Sequence, residues 1–226
     1  MMSNIAISNF EKHTHGPYST NNLNNNDEIR LHIQQQYAYT AIFCSSLYMR
    51  GQLLITDETV STTAFFVKMG LLFLFDEIRY EMIGITVDRC RNPGLNALMY
   101  GYVSFNQNEA IRLENAGWTD GNFADNNGYF DVCIPLNICL GFAEDSQKIM
   151  LNVCQELVLV SSNTDINAIK NPTADENIKV NLHSIQWRVP YVSVVDLERL
   201  KLINCMENNI ELLVPFRSWE LHEYRC

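Results

Sequence analysis

Alternation of apolar and polar residues, repeated in one segment after another, constrains this chain more than any other feature. In Glu28-Ile29-Arg30-Leu31-His32-Ile33 every second residue is apolar, the period of a strand with one face buried. The same period returns in residues 128–135, where Phe130, Val132 and Ile134 share a face, and in 181–189, where Ile185, Trp187 and Val189 do. Residues 47–56, around Gly51, and the long apolar run 148–161 read as further strands. Residues 72–81 lead into 82–87 as a hairpin turning near Gly84. The last clear run is 210–216. It opens a terminal strand in which Phe216 and Trp219 are aromatic anchors and Arg217, Glu220 and Glu223 supply charge.

Two short helices interrupt the strands. Ser104 and Gln107 have capping-box spacing, residues 109–116 are mostly helix formers, and Gly117 suits a left-handed stop. Asp196 is placed to cap a second helix in which Leu197, Leu200 and Ile203 share a face. No repeat of 20 to 50 residues is visible. Many strands, few helices and long connections predict an all-β sandwich with minor helices and do not suggest alternating βαβ units. Residues 1–27 are polar, with Asn21, Asn22, Asn24, Asn25 and Asn26 nearly consecutive. Such a tract buries too little apolar surface to offset its ordering entropy. The expected organisation is a flexible polar arm, 1–27, followed by one domain, 28–226.

Composition narrows the function. Lys and Arg number 16 against 26 Asp and Glu, a formal net charge of −10. A surface of that sign repels phosphate backbones, so direct nucleic-acid binding is not expected. No stretch approaches the roughly 18 apolar residues that span a bilayer; residues 64–75 are interrupted by Lys68. The N-terminus lacks a basic region leading an apolar core, and Asn-X-Ser/Thr acceptors with a permitted middle residue are absent. Seven cysteines, an odd number without Cys-x-x-Cys spacing, then read as reduced thiols. The expected setting is cytoplasmic or nuclear, not secreted and without a membrane.

Candidate chemistry is sparse. His13 and His15 form the one close histidine pair, within the polar arm and without further ligands beside them. Cys133 and Cys139 fit no zinc knuckle and read as packed thiols. Glu144 and Asp145, with Asp125 and Asp131, are carboxylates for acid/base work or calcium on one reading, and a solvated loop on the favoured one. His32, His183 and His222 are the strand histidines of a metal-dependent reading, from distant positions. Nucleophile elbows, phosphate loops and dinucleotide fingerprints are absent. The prediction is a non-enzyme without cofactor or metal. Among the large aromatics, Trp187 and Trp219 are expected in the core, and Trp118 in core or interface.

A series of short blocks carries a family likeness. They are Asn24-Asn25-Asn26-Asp27-Glu28-Ile29-Arg30, Glu77-Ile78-Arg79-Tyr80-Glu81 with Gly84 and Val87-Asp88-Arg89, and Leu113-Glu114-Asn115-Ala116-Gly117-Trp118. Cys133-Ile134-Pro135-Leu136, Leu140-Gly141-Phe142-Ala143-Glu144-Asp145, Trp187-Arg188-Val189-Pro190-Tyr191-Val192 and the terminal Val214-Pro215-Phe216-Arg217-Ser218-Trp219-Glu220 follow. In this order they resemble the double jelly roll-like proteins, relatives of the major capsid proteins of Polinton-like and adintovirus-like elements. At the hairpin Ile83 stands where that family tends to have Asn before Gly, which leaves the turn type open. The resemblance covers about residues 24–224 and implies a jelly roll β-sandwich, the N-terminal half of a double jelly roll. It implies a capsid-like structural or self-assembly protein, or its domesticated derivative, forming trimers if capsid-like, and a virion location if virus-encoded. The alternative is a host ligand- or protein-binding jelly roll module. The implied structural and interface residues are Trp118, Trp187, Arg188, Phe216, Arg217, Trp219 and Glu220. Arg217 is expected to pair with Glu220 or Glu223, or to anchor a second jelly roll.

Overall fold

The alternating segments pair into two sheets that face each other. A computed structural model describes residues 7–18, 27–33, 39–55, 64–119, 123–151, 153–170, 178–208 and 213–222. Its first strands are β1 (Ile7–His15), β2 (Glu28–Ile33), β3 (Tyr39–Thr40), β4 (Ser46–Ile55), β5 (Phe65–Phe66) and β6 (Phe75–Met82). Then come β7 (Ile85–Arg91), β8 (Tyr129–Pro135), β9 (Met150–Leu151), β10 (Gln155–Ser161), β11 (Ile169–Lys170) and β12 (Ile178–Val194). Among the described residues four α-helices join them: α1 (Pro93–Ser104), α2 (Gln107–Arg112), α3 (Gly141–Asp145) and α4 (Asp196–Glu207).

One sheet has the order β8-β4-β12-β3-β9, with β1 also on β12. The other has the order β2-β10-β6-β7, and β5 pairs with β11 apart from both. The 17-residue β12 organises the first sheet. Residues 178–188 pair with β4, and 187–194 pair with β1. Alternation then sends Leu47, Met49, Ile134 and Trp187 inward from this sheet, against Leu31, Ile78, Tyr80, Leu157 and Leu159 from the other. Burying such a side chain is worth roughly 1.5–3 kcal/mol for the aliphatic members. The Trp187 and Tyr80 rings meet edge to face across the sandwich at 6.2 Å.

A small polar group sits within this apolar layer. The Tyr80 hydroxyl donates to Gln155 Oε1 at 2.8 Å, and Gln155 Nε2 donates to Thr40 Oγ1 at 2.8 Å. Tyr80 and Gln155 belong to one sheet and Thr40 to the other, so the amide bridges the two. Burial pushes the Tyr80 hydroxyl far above its ordinary pKa, which keeps it a neutral donor.

The outer face of the second sheet carries charge. Arg30 reaches Glu156 at 2.9 Å, Arg79 reaches Glu28 and Glu77 at 3.1 Å, and Arg91 reaches Glu77 at 3.5 Å. Val158 lies between Arg30 and Arg79 in the register and is fully buried despite facing outward. The aliphatic stems of the two arginines cover it.

Several elements depart from the sequence reading. Within the segment expected to be loose, Ile7–His15 form β1, because the edge of β12 offers a full ladder of backbone partners. The arm residues 1–6 and 19–26 lie outside the described residues. The run 148–161 splits into β9 and β10. The capping box belongs to Asn106 and Glu109, two residues beyond Ser104. Gly117 does take the left-handed stop, at φ 87°. Helix α1 was not expected; its signal is Pro93 at the first helical position. This helix is inverted, with small residues Gly94, Ala97 and Gly101 inward and Met99, Tyr102 and Val103 outward. A Cβ on Gly94 would strike the Phe73 ring and one on Gly101 the Trp118 ring, so only glycine lets the helix approach so closely. In α4 the expected stripe is turned away: Leu197 and Leu200 are exposed, while Leu202 packs on Ala41, Val192 and Val194. The helix begins at Asp196 itself, and among its described side chains Leu202 is the buried one.

The β6–β7 hairpin closes at Ile83 and Gly84 with φ of 51° and 73°. Two positive φ values make a type I′ turn, and Ile83 holds it against a β-branched side chain that disfavours this region. Ile83→Asn is therefore expected to stabilise the protein by about 1 kcal/mol, a rise of roughly 2–4 °C in Tm for a chain this size. Thermal melting followed by circular dichroism checks it, and a lower Tm would contradict a strained turn. Gln155→Leu leaves two buried hydroxyls without their partner and is expected to cost about 2 kcal/mol or more in urea unfolding. A neutral outcome would show that the bridge adds nothing.

Candidate functional site

Residues 213–222 run as an extended strap with no strand ladder. The terminal strand expected from sequence is thus absent among the described residues, because side-chain carboxylates take the place of a partner strand. Residues 210–212 and Glu223 and Tyr224 lie outside the described residues. Arg217 is the centre of the strap. Its Nε and Nη2 donate to Asp145 Oδ2 and Oδ1 at 2.8 and 2.7 Å, and its backbone N–H donates to Asp145 Oδ2 at 2.8 Å. Planar fork meets planar carboxylate, the strongest form of a surface ion pair. Hydrogen bonds from the Arg217 side chain, then from its backbone, bring the Asp145 carboxyl down to about 2. Glu144 adds a second acid 3.7 Å from Arg217 Nη2. Helix α3 supplies both acids from its last turn and Gly141 from its first. A Cβ on Gly141 would collide with the Arg217 carbonyl, so the strap's backbone lies directly on this glycine.

A second carboxylate, buried Asp88 on β7, fastens the next residue. Its Oδ1 accepts from the Ser218 hydroxyl at 2.7 Å and from the Arg89 N–H at 2.8 Å, and its Oδ2 accepts from the Phe142 N–H at 2.8 Å. One side chain thereby ties β7, α3 and the strap. Apolar contacts complete the seal. Phe216 meets Phe142 edge to face at 5.1 Å, and Phe142 stacks on Tyr80 at 5.0 Å. Trp219 leans on Tyr100 at 5.3 Å, whose hydroxyl donates to Glu144 Oε1 at 2.7 Å. Burial and then this bond push Tyr100 up to about 12, so it donates at all ordinary pH. Beside it opens a cleft of about 330 Å³ with Tyr100, Phe105, Arg112, Pro135, Ile138 and Glu144 in its wall.

The structure gathers some expected residues and separates others. Phe216, Arg217, Trp219 and Glu220 lie together. Trp219 is half-buried at the surface where the core was expected. Arg217 pairs with Asp145 and Glu144, and Glu220 lies 3.9 Å from Arg89 instead. Trp187 is fully buried elsewhere. Trp118 is buried against Phe105 and Tyr102, with Lys68 Nζ 4.9 Å above its ring. Arg188 lies 3.6 Å over the Tyr48 ring, whose hydroxyl donates to Asp131 at 2.7 Å. His32 meets Glu156 at 2.8 Å, His222 meets Glu220 at 3.5 Å, and His183 faces Tyr129 at 6.1 Å, so these three stay apart. Cys133 contacts Ser46 Oγ at 3.2 Å, while Cys139 is buried. Among the described residues no three His, Cys, Asp or Glu side chains meet as metal ligands, and no helix is long and apolar enough to cross a membrane.

Sequence reasoning missed Asp88 and Tyr100 as parts of the site and read Glu144 and Asp145 as a loop. The available signal was the spacing of the blocks: 87–89, 140–145 and 216–220 are remote in sequence and converge here.

The comparisons with known proteins agree on the fold. The sequence model of the double jelly roll-like domain matches residues 66–226, and the chain belongs to that family. Among curated proteins none matches. The solved structure of the Faustovirus major capsid protein is similar at a TM-score of 0.59 and 10% identity, over 91% of this chain and 57% of that one. PBCV-1 VP54, fitted into a reconstruction of the virophage Sputnik, gives 0.51 and 10%, over 89% and 46%. The mavirus major capsid protein gives 0.50 and 12%, over 88% and 49%. The chain spans about half the length of these proteins.

The strap's fastening has a defined acid limit. Because docking depresses the Asp145 carboxyl, the ion pair is fully present above the ordinary carboxylate value of 3.8 and is lost as pH falls toward 2. Trp219 fluorescence is expected to be flat from neutral pH to about 4 and to change below it. Asp145→Asn is expected to speed tryptic cleavage after Arg217 severalfold near pH 8. Unchanged cleavage would show that the strap is held without the ion pair.

Proposed function

We propose that this member of the double jelly roll-like domain family is a capsid-like structural protein that works by self-association and carries no catalytic site. The observation that carries the reading is the shared sandwich, which extends over about nine-tenths of the chain in the Faustovirus and mavirus capsid proteins. The strap supports it from inside the molecule. Its Arg217 and Glu220 pair with charged groups of α3 and β7, which suits a structural seal rather than a base or nucleophile poised for chemistry. In this role the strap closes one end of the sandwich, while the sheets and loops supply contacts to further copies.

The finer picture is a trimer, as in a capsid building block of a virus or of a domesticated viral element, located in a virion or in the cytoplasm or nucleus. The formal net charge of −10 argues against direct binding of a nucleic-acid backbone, and no membrane is involved. A second reading, a host ligand- or protein-binding jelly roll module, is favoured by one feature, the cleft of about 330 Å³ beside Tyr100 and Glu144.

Solution mass decides between them. Size exclusion with light scattering on the purified chain is expected to give a trimer or a larger closed assembly. A monomer at every concentration would overturn self-association by this chain and leave the binding module as the standing reading.

A further inference from the structure

Strand β1 joins its sheet through the backbone ladder and not through the core. From residue 9 to residue 15 every side chain is exposed or half-buried. His13 lies opposite Val189 and His15 opposite Trp187. Residues opposite each other in an antiparallel pair share a face, so both imidazoles lie on the inner side, at the margin of the sandwich. There they enclose Tyr191. The His13 ring stacks on Tyr191 at 4.2 Å and 17°, and His15 Nε2 is 2.9 Å from the Tyr191 hydroxyl.

The charged surroundings are few. On β1, Glu11 Oε2 is 3.4 Å from His13 Nε2, and Lys12 is on the opposite face, near Cys44. On β12, Arg188 is opposite Thr14, also on the other face, and burial pushes the Tyr191 hydroxyl up to about 12. The neighbouring β2 turns apolar Ile29, Leu31 and Ile33 inward and His32 outward to Glu156. Among the described residues the two imidazoles therefore share one half-buried site with a single carboxylate, on the His13 side. A proton on His15 places charge in the half-buried part of this site, against the Tyr191 hydroxyl.

We propose that β1 is an acid-released strand: protonation of His15, packed with His13 around Tyr191, loosens it from β12, and the vacated edge of β12 accepts β1 from a second copy of the chain. An unpaired strand edge is a template for another strand, and the most complementary strand is the one that left it. This inference rests on the self-association reading and adds to it a further contact between copies that acid opens. The direction follows from the environment of His15, which burial, and then the charge of His13, hold below its ordinary value. The released strand takes up protons more readily, so docking is complete above about pH 6.5 and weakens as pH falls below it.

Hydrogen exchange read by mass spectrometry at about pH 7.5 and pH 5, corrected for intrinsic rates, tests the release on the full chain. Wild-type β1 amides are expected to exchange severalfold faster at pH 5 while those of β4 and β8 do not. His15→Gln, which keeps a hydrogen-bonding group but does not titrate, and His13→Phe with His15→Gln, which keeps the stack, are expected to stay protected at both pH values. Light scattering on the same samples is expected to show mass rising with concentration at pH 5 in wild type alone. Exchange of β1 that ignores pH, or that accelerates equally in the double variant, would overturn the release. Release without gain of mass would overturn the exchange between copies. A chain monomeric at pH 7.5 bears on the self-association reading and leaves the β1 measurement intact, so the two failures are told apart.

Discussion

Two apolar sheet faces can pack in many registers, and the Gln155 amide satisfies its partners in one of them. Hydrophobic burial drives the faces together but is indifferent to a slide of a few ångströms. The Gln155 bridge to Tyr80 and Thr40 is not indifferent, since a displaced sheet would bury two hydroxyls and an amide without partners. The strap and its receptor inherit this alignment. Phe142 stacks on Tyr80 and so sets α3, and α3 in turn presents Gly141 and Asp145 to the strap. The same chain of contacts runs from the centre of the core to the surface without a break.

The sequence showed what depends on local period and hid what depends on meeting in space. Strands β2 and β8 were legible because each has one wet and one dry face, and alternation records that directly, while β4 and the β6–β7 hairpin were legible from apolar richness around Gly51 and from the turn residue Gly84. Helix α1 was hidden because it inverts the rule: small residues pack inward on aromatic rings and large ones face out. Helix α4 was visible, but its buried face was not, since among its described side chains Leu202 is buried while Leu197 and Leu200 of the apolar stripe are exposed. The strap is the clearest case. Phe216, Arg217 and Trp219 stood out as unusual residues, yet the reason for them lies in Asp88 and Asp145, far away in sequence. A carboxylate near a turn looks the same in sequence whether it is solvated or is the receptor of a distant arginine.

The site thus has the character of a fastening. A fork-like ion pair, a buried carboxylate shared by three elements and two aromatic contacts hold ten residues that lack regular structure. Surface ion pairs alone add little, but here the pair adjoins a glycine that admits the strap's backbone and two aromatic contacts, Phe216 on Phe142 and Trp219 on Tyr100. This cooperation, more than any single bond, explains why a segment without a ladder keeps one position.

The length of β12 has a mechanical consequence. At about 3.3 Å per residue its 17 residues reach some 56 Å, a single rod crossing the molecule. Tension along that rod loads the ladder to β4 in shear, so many hydrogen bonds resist together. A pull on β1 away from the sheet instead opens its ladder pair by pair, like a zip. The same strand is therefore stiff along its length and yielding at one edge, and a force applied to this protein would be borne or relieved according to its direction.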